Sequence, residues 1–415
     1  MDKAAELLER GVANIIPDKN VLLGKLRGEK KLNIYLGIDP TSTKIHLGHA
    51  VALRKLQQFA KLGHNVTFLI GDFTALIGDT SDKESERPAL TRGEISENFK
   101  TYKKQAQKVL DFSKVKIKYN GEWLKKLIFE DILKLMQHFS AGDFVGRELI
   151  KKRLSANKRV GLHELLYPVM QGYDSFMLDT DIQIGGTDQT FNMQAGRTLL
   201  KNLKNKESFV LTTPILEGAD GRKMSKSFGN AIWLDDSPTD MFAKIMSIND
   251  DLIIQYFTLS TNTPLSDIKN IEKRLEKENP INIKKQLAFE IVRGLDGEKA
   301  ATLAQQDFER LVQKKEMPLQ LNTFTPTSGA SIARTISEWA NIAIRWLICR
   351  LIMALLLGQR ISLVAERFQA GQEHFLRSIQ NSRWGYDRKS NVSGTRDTNW
   401  IYYVHGAALL PSYST

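Results

Sequence analysis

The fold is decided by Tyr35-Leu-Gly-Ile-Asp-Pro-Thr-Ser-Thr-Lys-Ile-His-Leu-Gly-His49, which lies near the start of a chain of 415 residues. A β-rich run over Asn33–Ile38 precedes Asp39 and Pro40, and apolar residues at helical spacing follow over residues 47–62. The pattern predicts a strand, a tight loop and the start of a helix. Because the first amides of a helix have no partner inside it and lie at its positive end, such a corner attracts phosphate groups.

Two histidines, His46 and His49, stand at the predicted start of this helix with Gly48 between them. The glycine leaves space for a base or a ribose to approach the imidazoles, so the corner suits a nucleotide. An ordinary packed strand-loop-helix corner is the alternative, which the paired spacing of the histidines disfavours.

A parallel sheet is predicted around this corner. A second buried strand, residues 65–71, follows the first helix after Gly63, which suits a helix C-terminal cap. Strand, helix and strand with a short return form a βαβ unit, whose ligands bind at the carboxyl ends of the strands. Asp181-Ile-Gln-Ile-Gly-Gly-Thr-Asp-Gln189 repeats the strand-to-helix corner. The two corners are predicted to form two halves of one nucleotide site.

Two loops carry cations. Lys83 and Arg87 follow the second strand, and Lys223 and Lys226 lie among glycines at positions 218, 221 and 229. Mobile lysines near a triphosphate can stabilise charge that develops in a transition state. A solvated loop and a generic lysine-rich turn are the alternatives.

A helix predicted over residues 161–174 places Tyr167, Gln171 and Asp174 on one face. Apolar neighbours indicate that this face is partly buried, and buried polar groups need hydrogen-bond partners, of which a ligand is one. A polar surface stripe is the alternative.

The composition indicates a globular chain of two to three domains, with 42% apolar residues and a formal net charge of +12. The charge favours a polyanionic partner. The single cysteine, Cys349, excludes an intrachain disulfide and fits a reducing compartment. Residues 1–10 lack the apolar core of an export signal, and residues 342–358 are too short and too charged to span a bilayer, so we expect a cytoplasmic protein that is not in the membrane.

The predicted fold class is α/β. A Rossmann-like parallel-sheet catalytic domain is expected over residues 1–235, with a helical insertion at about residues 91–160. A small all-α domain over residues 236–325 and a C-terminal segment of uncertain fold over residues 326–415 follow. Up to residue 330 Lys outnumbers Arg by 36 to 13, whereas from Ser331 onward there are nine Arg and one Lys. A disordered tail, a divergent domain and a reading-frame shift near residues 331–335 are the explanations considered.

Five motifs in this order resemble the class I aminoacyl-tRNA synthetases, in the bacterial tyrosyl branch. His46-Leu-Gly-His49 is similar to the family's HIGH element, and Lys223-Met-Ser-Lys-Ser227 to its KMSKS element. Tyr35-Leu-Gly-Ile-Asp-Pro-Thr41, Gln171-Gly-Tyr-Asp174 and Gln183-Ile-Gly-Gly-Thr-Asp-Gln189 complete the likeness, which covers about residues 1–330.

The resemblance implies a ligase that joins L-tyrosine to ATP as tyrosyl-adenylate and then transfers tyrosine to the 3′ end of tRNA(Tyr). It also implies Mg²⁺, a homodimer and a tRNA-binding role for the helical domain, with no metal bound by protein ligands. The implied catalytic residues are His46, His49, Thr41, Lys223, Lys226, Lys83 and Arg87. The implied ATP-binding residues are Gly37, Asp39, Thr41, His46, Gly48, His49 and Lys226. The implied tyrosine-binding residues are Tyr35 and Asp174 for the phenolic hydroxyl, Asp79, Tyr167 and Gln171 for the ammonium, and Gln189 for the carboxylate.

Two other functions stay open at this point. A synthetase-like RNA-binding protein would keep the fold without catalysis, and a nucleotidyltransferase of the same superfamily would use only the histidine corner. A tryptophan-using relative is disfavoured, because it does not need an acid and a phenol aimed at a hydroxyl.

Overall fold

The computed structural model describes residues 2–79 and 90–310, which belong to a compact unit formed by Met1–Pro318. Lys83, Arg87 and the C-terminal segment from residue 326 lie outside the described residues. Within the described part of the chain, every helix is too short or too polar to cross a membrane.

The described residues form six strands and fifteen α-helices. The strands are β1 Asn14–Ile16, β2 Asn33–Ile38, β3 Asn65–Ile70, β4 Val115–Tyr119, β5 Ile182–Gly186 and β6 Phe209–Thr213. The helices are α1 Lys3–Leu7, α2 Lys19–Arg27, α3 Leu47–Lys61, α4 Arg92–Ala106, α5 Gly121–Leu124, α6 Phe129–Met136, α7 Ala141–Val145, α8 Glu148–Ser155, α9 Leu162–Met177, α10 Thr190–Lys204, α11 Pro238–Met246, α12 Ile253–Ser260, α13 Leu265–Leu275, α14 Pro280–Asp296 and α15 Glu298–Phe308. Short 3₁₀ turns occur at Thr74–Leu76, Thr187–Gln189 and Asp250–Leu252.

The strands form one sheet in the order β1-β6-β5-β2-β3-β4. All neighbouring pairs are parallel except β1 with β6, so the predicted parallel-sheet α/β fold is confirmed. The chain passes from β2 to β3 on one side and reaches β5 on the other side of β2. In open α/β sheets a ligand crevice forms at such a reversal, outside the carboxyl ends of the strands.

The two faces of β2 bury different side chains. Ile34 and Leu36 belong to the main core together with apolar residues of α3, whereas Tyr35 belongs to a smaller cluster with Leu69 and Trp123. This division follows from the alternation of side chains along a strand. Tyr35 therefore faces away from the histidine-bearing helix.

Element boundaries agree closely with those expected from the sequence. Helix α3 ends at Lys61, and Gly63 adopts a φ of +87°, which suits a glycine after a helix. Strand β4 lies within the expected insertion but pairs with β3 and forms an edge of the sheet. The helical part of the insertion that follows β4 begins at Gly121.

Two buried cations join the N-terminal helix to the rest of the unit. Lys55 on α3 donates hydrogen bonds to the carbonyls of Leu7 and Arg10. The Arg10 guanidinium donates to four carbonyls at and after the end of α12, namely Phe257, Thr258, Thr261 and Thr263. Carbonyls at helix ends have no partner within the helix, so these cations satisfy groups that would otherwise be buried unpaired. The contacts tie α1, α3 and α12 together.

Candidate active site

The histidine corner lies at the carboxyl end of β2. His46 is the residue preceding α3, and its backbone N–H donates to Nδ1 of His49 over 3.3 Å. The two rings stack with centroids 3.8 Å apart. Burial lowers the pKa of His46 to about 2, and the charges of His49 and Lys223 add to the shift. The His46 imidazole is therefore neutral and acts through hydrogen bonds rather than charge.

Gly48 is required by the packing of the corner. A Cβ at this position would lie 2.9 Å from Nδ1 of His46. The sequence predicted that Gly48 leaves space for a nucleotide, whereas the His46 ring occupies that space. Nδ1 of His46 is buried and has no hydrogen-bond partner among the described residues, so a polar group of a ligand can satisfy it after a small shift.

The lysine loop reaches both corners of the sheet. Nζ of Lys223 lies 3.0 Å from a carboxylate oxygen of Asp188, which follows β5. Met224 is 2% exposed and belongs to the main core, so it anchors the loop. Lys226, two residues later, is exposed to solvent. The loop presents one lysine inside the site and one at its edge.

The segment after the loop pairs with the histidine corner. The Leu47 N–H donates to the Ile232 carbonyl over 2.9 Å, and the Leu234 N–H donates to the Ile45 carbonyl over 2.8 Å. Trp233 packs edge-on against His46, with ring centroids 5.7 Å apart. This short pairing joins the two motifs that are furthest apart in the sequence.

Asp39 connects the first corner to α9 and to the turn after β3. Its carboxylate accepts hydrogen bonds from Thr74 Oγ1 at 2.7 Å and from the Tyr167 hydroxyl at 2.9 Å, while its carbonyl accepts from the Thr41 N–H at 2.8 Å. A Cβ on Gly71 would lie 1.9 Å from the same carboxylate, so only glycine fits there. Of these contacts, the sequence predicted Asp39, Thr41 and Tyr167 as site residues.

The surface above Gly37, beside Tyr35 at the carboxyl end of β2, is open, and we refer to this opening as the depression. Gly37 is exposed although its strand lies in the middle of the sheet, and a Cβ there would be 3.7 Å from the Tyr35 ring. The absence of a side chain at this position therefore leaves room for a flat ligand above the strand.

Asp174 is buried on α9. It is 3% exposed, and its two oxygens accept hydrogen bonds from Trp123 Nε1 at 2.7 Å and from Asn120 Nδ2 at 3.2 Å. Burial raises the pKa of Asp174 to about 8.

The Tyr35 hydroxyl is hydrogen-bonded to Ser175 Oγ at 2.9 Å and donates to Gln183 Oε1 at 3.3 Å. Burial raises the pKa of Tyr35, and the nearby charge of Asp174 raises it further. The two predicted hydroxyl-binding residues are thus neighbours that bond to separate partners.

The remaining predicted tyrosine-binding residues surround Tyr167. Burial raises the pKa of Tyr167, followed by the negative charges of Asp39, Asp79 and Asp174. Gln189 donates to the Asp79 carboxylate through Nε2, and the Gln171 side chain is half-buried on α9. The negative charges of Asp39 and Asp79 make this part of the site attractive to a cation.

Several residues of the site were missed by the sequence analysis: Thr74, Asn120, Trp123, Ser175, Gln183, Asp188, Asn230 and Trp233. Asn120 directly follows β4 and Trp123 lies three residues later, so their position after a β-rich run was a usable signal. Ser175 and Asp188 lie beside or inside quoted motifs, but their partners come from distant parts of the chain.

The model of the class I tRNA synthetases (W and Y) matches residues 27–313. The chain belongs to this family. The tyrosine–tRNA ligase of Haemophilus influenzae is 42% identical over 80% of this chain and 83% of its own length. That of Thermotoga maritima is 42% identical over 76% of this chain and 80% of its own.

Solved synthetase structures share the fold. A C-terminally truncated mitochondrial tyrosyl-tRNA synthetase from Coccidioides posadasii has a TM-score of 0.61 and 24% identity, covering 74% of this chain and 91% of that one. The Archaeoglobus fulgidus tyrosyl-tRNA synthetase, complexed with L-tyrosine, has a TM-score of 0.59 and 22% identity, covering 73% of this chain and 99% of that one. These likenesses confirm the class I synthetase architecture.

The raised pKa of Asp174 predicts a pH-dependent cost to stability. From pH 4 to about pH 8 the folded protein binds more protons at this group than the unfolded chain, so the free energy of unfolding falls as pH rises through that range. Asp174→Asn removes this dependence. We expect the difference in the free energy of unfolding, variant minus wild type, to increase from about pH 5 to about pH 8. The increase is at most about 1.4 kcal/mol for each pH unit.

Urea denaturation at each pH measures this difference, and Asp267→Asn, at an exposed position on α13, is the control. A relative stability that stays constant with pH for Asp174→Asn would show that this carboxyl titrates normally in the folded protein.

Proposed function

We propose that this chain activates L-tyrosine with ATP to form tyrosyl-adenylate and transfers the tyrosyl group to the 3′ end of tRNA(Tyr). The family and its 42% identical relatives support the reaction. The observation that carries the proposal is the assembly at one edge of the sheet, where the histidine corner and Lys223 lie beside a depression walled by Tyr35. In this proposal the corner and the loop would bind ATP, and the depression would bind tyrosine.

Adenylate formation requires positioning and charge stabilisation rather than a covalent nucleophile. A tyrosine carboxylate oxygen attacks the α-phosphorus of ATP, and the bond to the β,γ-pyrophosphate breaks. His46 and His49 would bind the phosphates at the start of α3, with His46 acting as a neutral hydrogen-bond partner. The other ATP-binding residues in this proposal are Gly37, Asp39, Thr41 and Gly48.

The departing pyrophosphate would be stabilised by the lysine loop. Lys223 is held near the second corner by Asp188, and exposed Lys226 is free to approach when the loop moves. Lys83 and Arg87 are proposed to help from the loop after β3. We also propose Mg²⁺, which prefers oxygen ligands and would arrive bound to the oxygens of the triphosphate, without a protein ligand.

Tyrosine would be bound at both ends of the depression. The carboxylates near Tyr167 attract its ammonium, where we place Asp79, Tyr167 and Gln171, with Gln189 near the carboxylate. Its phenolic hydroxyl would meet Tyr35 and Asp174. Phenylalanine has no hydroxyl and could not form these hydrogen bonds, so the two groups would favour tyrosine without a separate editing step.

The other functions considered fit less well. A catalytically inactive RNA-binding relative has no need to hold two histidines and a lysine together by backbone pairing and an ion pair. A nucleotidyltransferase that used only the histidine corner would not need buried Asp174. A tryptophan substrate has no hydroxyl for that carboxyl to meet.

We assign tRNA binding to the helical region over residues 236–325, in line with the basic net charge of +12, and place the protein in the cytoplasm. This region begins with α11 and packs against α3 through contacts of α12. A tRNA bound there would contact a region that packs directly against the helix that carries the histidines.

We also propose a homodimer, formed through an exposed apolar surface at the start of α6. The exposed fractions are 61% for Ile128, 73% for Phe129 and 46% for Leu133, and the last two are one helical turn apart on the same face. Large apolar side chains exposed side by side usually mark an interaction surface. Because every copy carries the same surface, a second copy related by a two-fold axis would cover it.

Replacing Lys226 by alanine tests the role of the loop. We expect Lys226→Ala to slow adenylate formation by roughly 100-fold while tyrosine affinity changes by less than about twofold, since the lysine acts on charge that develops in the transition state. Exchange of labelled pyrophosphate into ATP gives the rate, and equilibrium dialysis gives tyrosine affinity. Lys201→Ala, on the exposed side of α10, is the control. Equal losses in rate and in tyrosine affinity would contradict this role.

Replacing Phe129 by aspartate tests the dimer. We expect sedimentation of wild type as a dimer and of Phe129→Asp as a folded monomer, because a charge in an apolar interface is not compensated. Leu303→Asp, at a 53% exposed apolar position on α15, should stay dimeric. A monomeric wild type, or a Phe129→Asp variant that sediments as wild type, would rule out this surface.

A further inference from the structure

Asn230 closes the lysine loop and bonds back across it. Its Oδ1 accepts from the Ser225 N–H at 2.9 Å. Its Nδ2 donates to Asp220 Oδ1 at 2.7 Å, to the Lys223 carbonyl at 3.2 Å and, more weakly, to the Arg222 carbonyl at 3.4 Å. One short side chain thus contacts four residues of the loop, including the one that carries the inner lysine.

The loop is shaped to receive this amide. A Cβ at Gly218 would lie 2.4 Å from Asn230 Nδ2, so a larger residue would displace the asparagine. Gly221 and Gly229 adopt positive φ angles of +74° and +68°, which allow the turns on either side. Asp220 accepts from Asn230 and from the Arg222 guanidinium. The hydrogen bond from Asn230 is the largest cause of the lowered pKa of Asp220, about 2.

The backbone that follows Asn230 is fixed to the histidine corner. Two residues later, the Ile232 carbonyl accepts from the Leu47 N–H, and Trp233 packs against His46. The side chain of Asn230 therefore holds the loop, while its chain neighbours hold the corner. Asn230 thus connects the lysine loop to the segment that pairs with the histidine corner.

We infer that Asn230 is a positioning residue, which ties the loop over residues 218–229 to the histidine corner and sets where Lys223 and Lys226 stand relative to ATP. This inference rests on the proposed role of the loop lysines. Asn230 does not bond to Tyr35, Asp174 or their partners. Its loss should therefore affect the chemical step and leave tyrosine binding intact.

The first test is Asn230→Ala in the full chain. We expect the single-turnover rate of adenylate formation to fall by about tenfold, with tyrosine affinity within about twofold of wild type and a weaker apparent affinity for ATP. Asn249→Ala is the matched control, because Asn249 is exposed and its amide lies 3.6 Å from the Cβ position of Gly221. The control should retain the wild-type rate.

The second test exchanges the two hydrogen-bonding partners. Asn230→Asp keeps the acceptor for Ser225 but faces Asp220 with a like charge, so it should be slower than Asn230→Ala. Adding Asp220→Asn restores a donor and an acceptor between the two positions. The double variant should therefore form the adenylate at least about threefold faster than Asn230→Asp. A general packing defect would not be rescued by a second substitution.

The outcomes separate this inference from the proposed function. Three results would each overturn the positioning role while the wild-type protein still exchanges pyrophosphate. They are a wild-type rate in Asn230→Ala, equal losses in rate and tyrosine affinity in that variant, and a double variant no faster than Asn230→Asp. A wild-type protein that does not exchange pyrophosphate with tyrosine would instead overturn the proposed function.

Discussion

The pairing of residues 232–234 with residues 45–47 is the interaction on which the site depends. Two backbone hydrogen bonds, Leu47 to Ile232 and Leu234 to Ile45, bring the lysine loop to the start of α3. Without this pairing the histidines would form an ordinary phosphate-attracting corner, and the lysines would lie on a surface turn. The parallel sheet supplies the frame, because β2 and β5 end side by side and present both corners at one edge.

Charge is divided across the site in a way that matches an amino acid joined to a triphosphate. Asp39 and Asp79 place negative charge near Tyr167, where an ammonium would be stabilised. Lys223 and the start of α3 place positive charge where phosphates would be stabilised. The lowered pKa of His46 leaves its imidazole neutral, so it adds no charge to either region.

Sequence reasoning recovered what depends on local pattern. It predicted β2, α3 and the strand after Gly63 nearly to the residue, because hydrophobic period and turn residues determine such elements locally. It could not find the partners of Asp174, since Trp123 and Asn120 reach it only after the chain has folded. The reason for Gly48 also differed, because the ring that needs its space is His46 itself. Contacts between distant segments were the information that the sequence lacked.

Amino-acid-dependent exchange of labelled pyrophosphate into ATP tests the central claim most directly. The wild-type protein should exchange with L-tyrosine and show almost no exchange with phenylalanine or tryptophan, because only tyrosine carries the phenolic hydroxyl that we propose Tyr35 and Asp174 bind. Folded protein that exchanges with none of these amino acids, or equally with tyrosine and phenylalanine, would contradict the account.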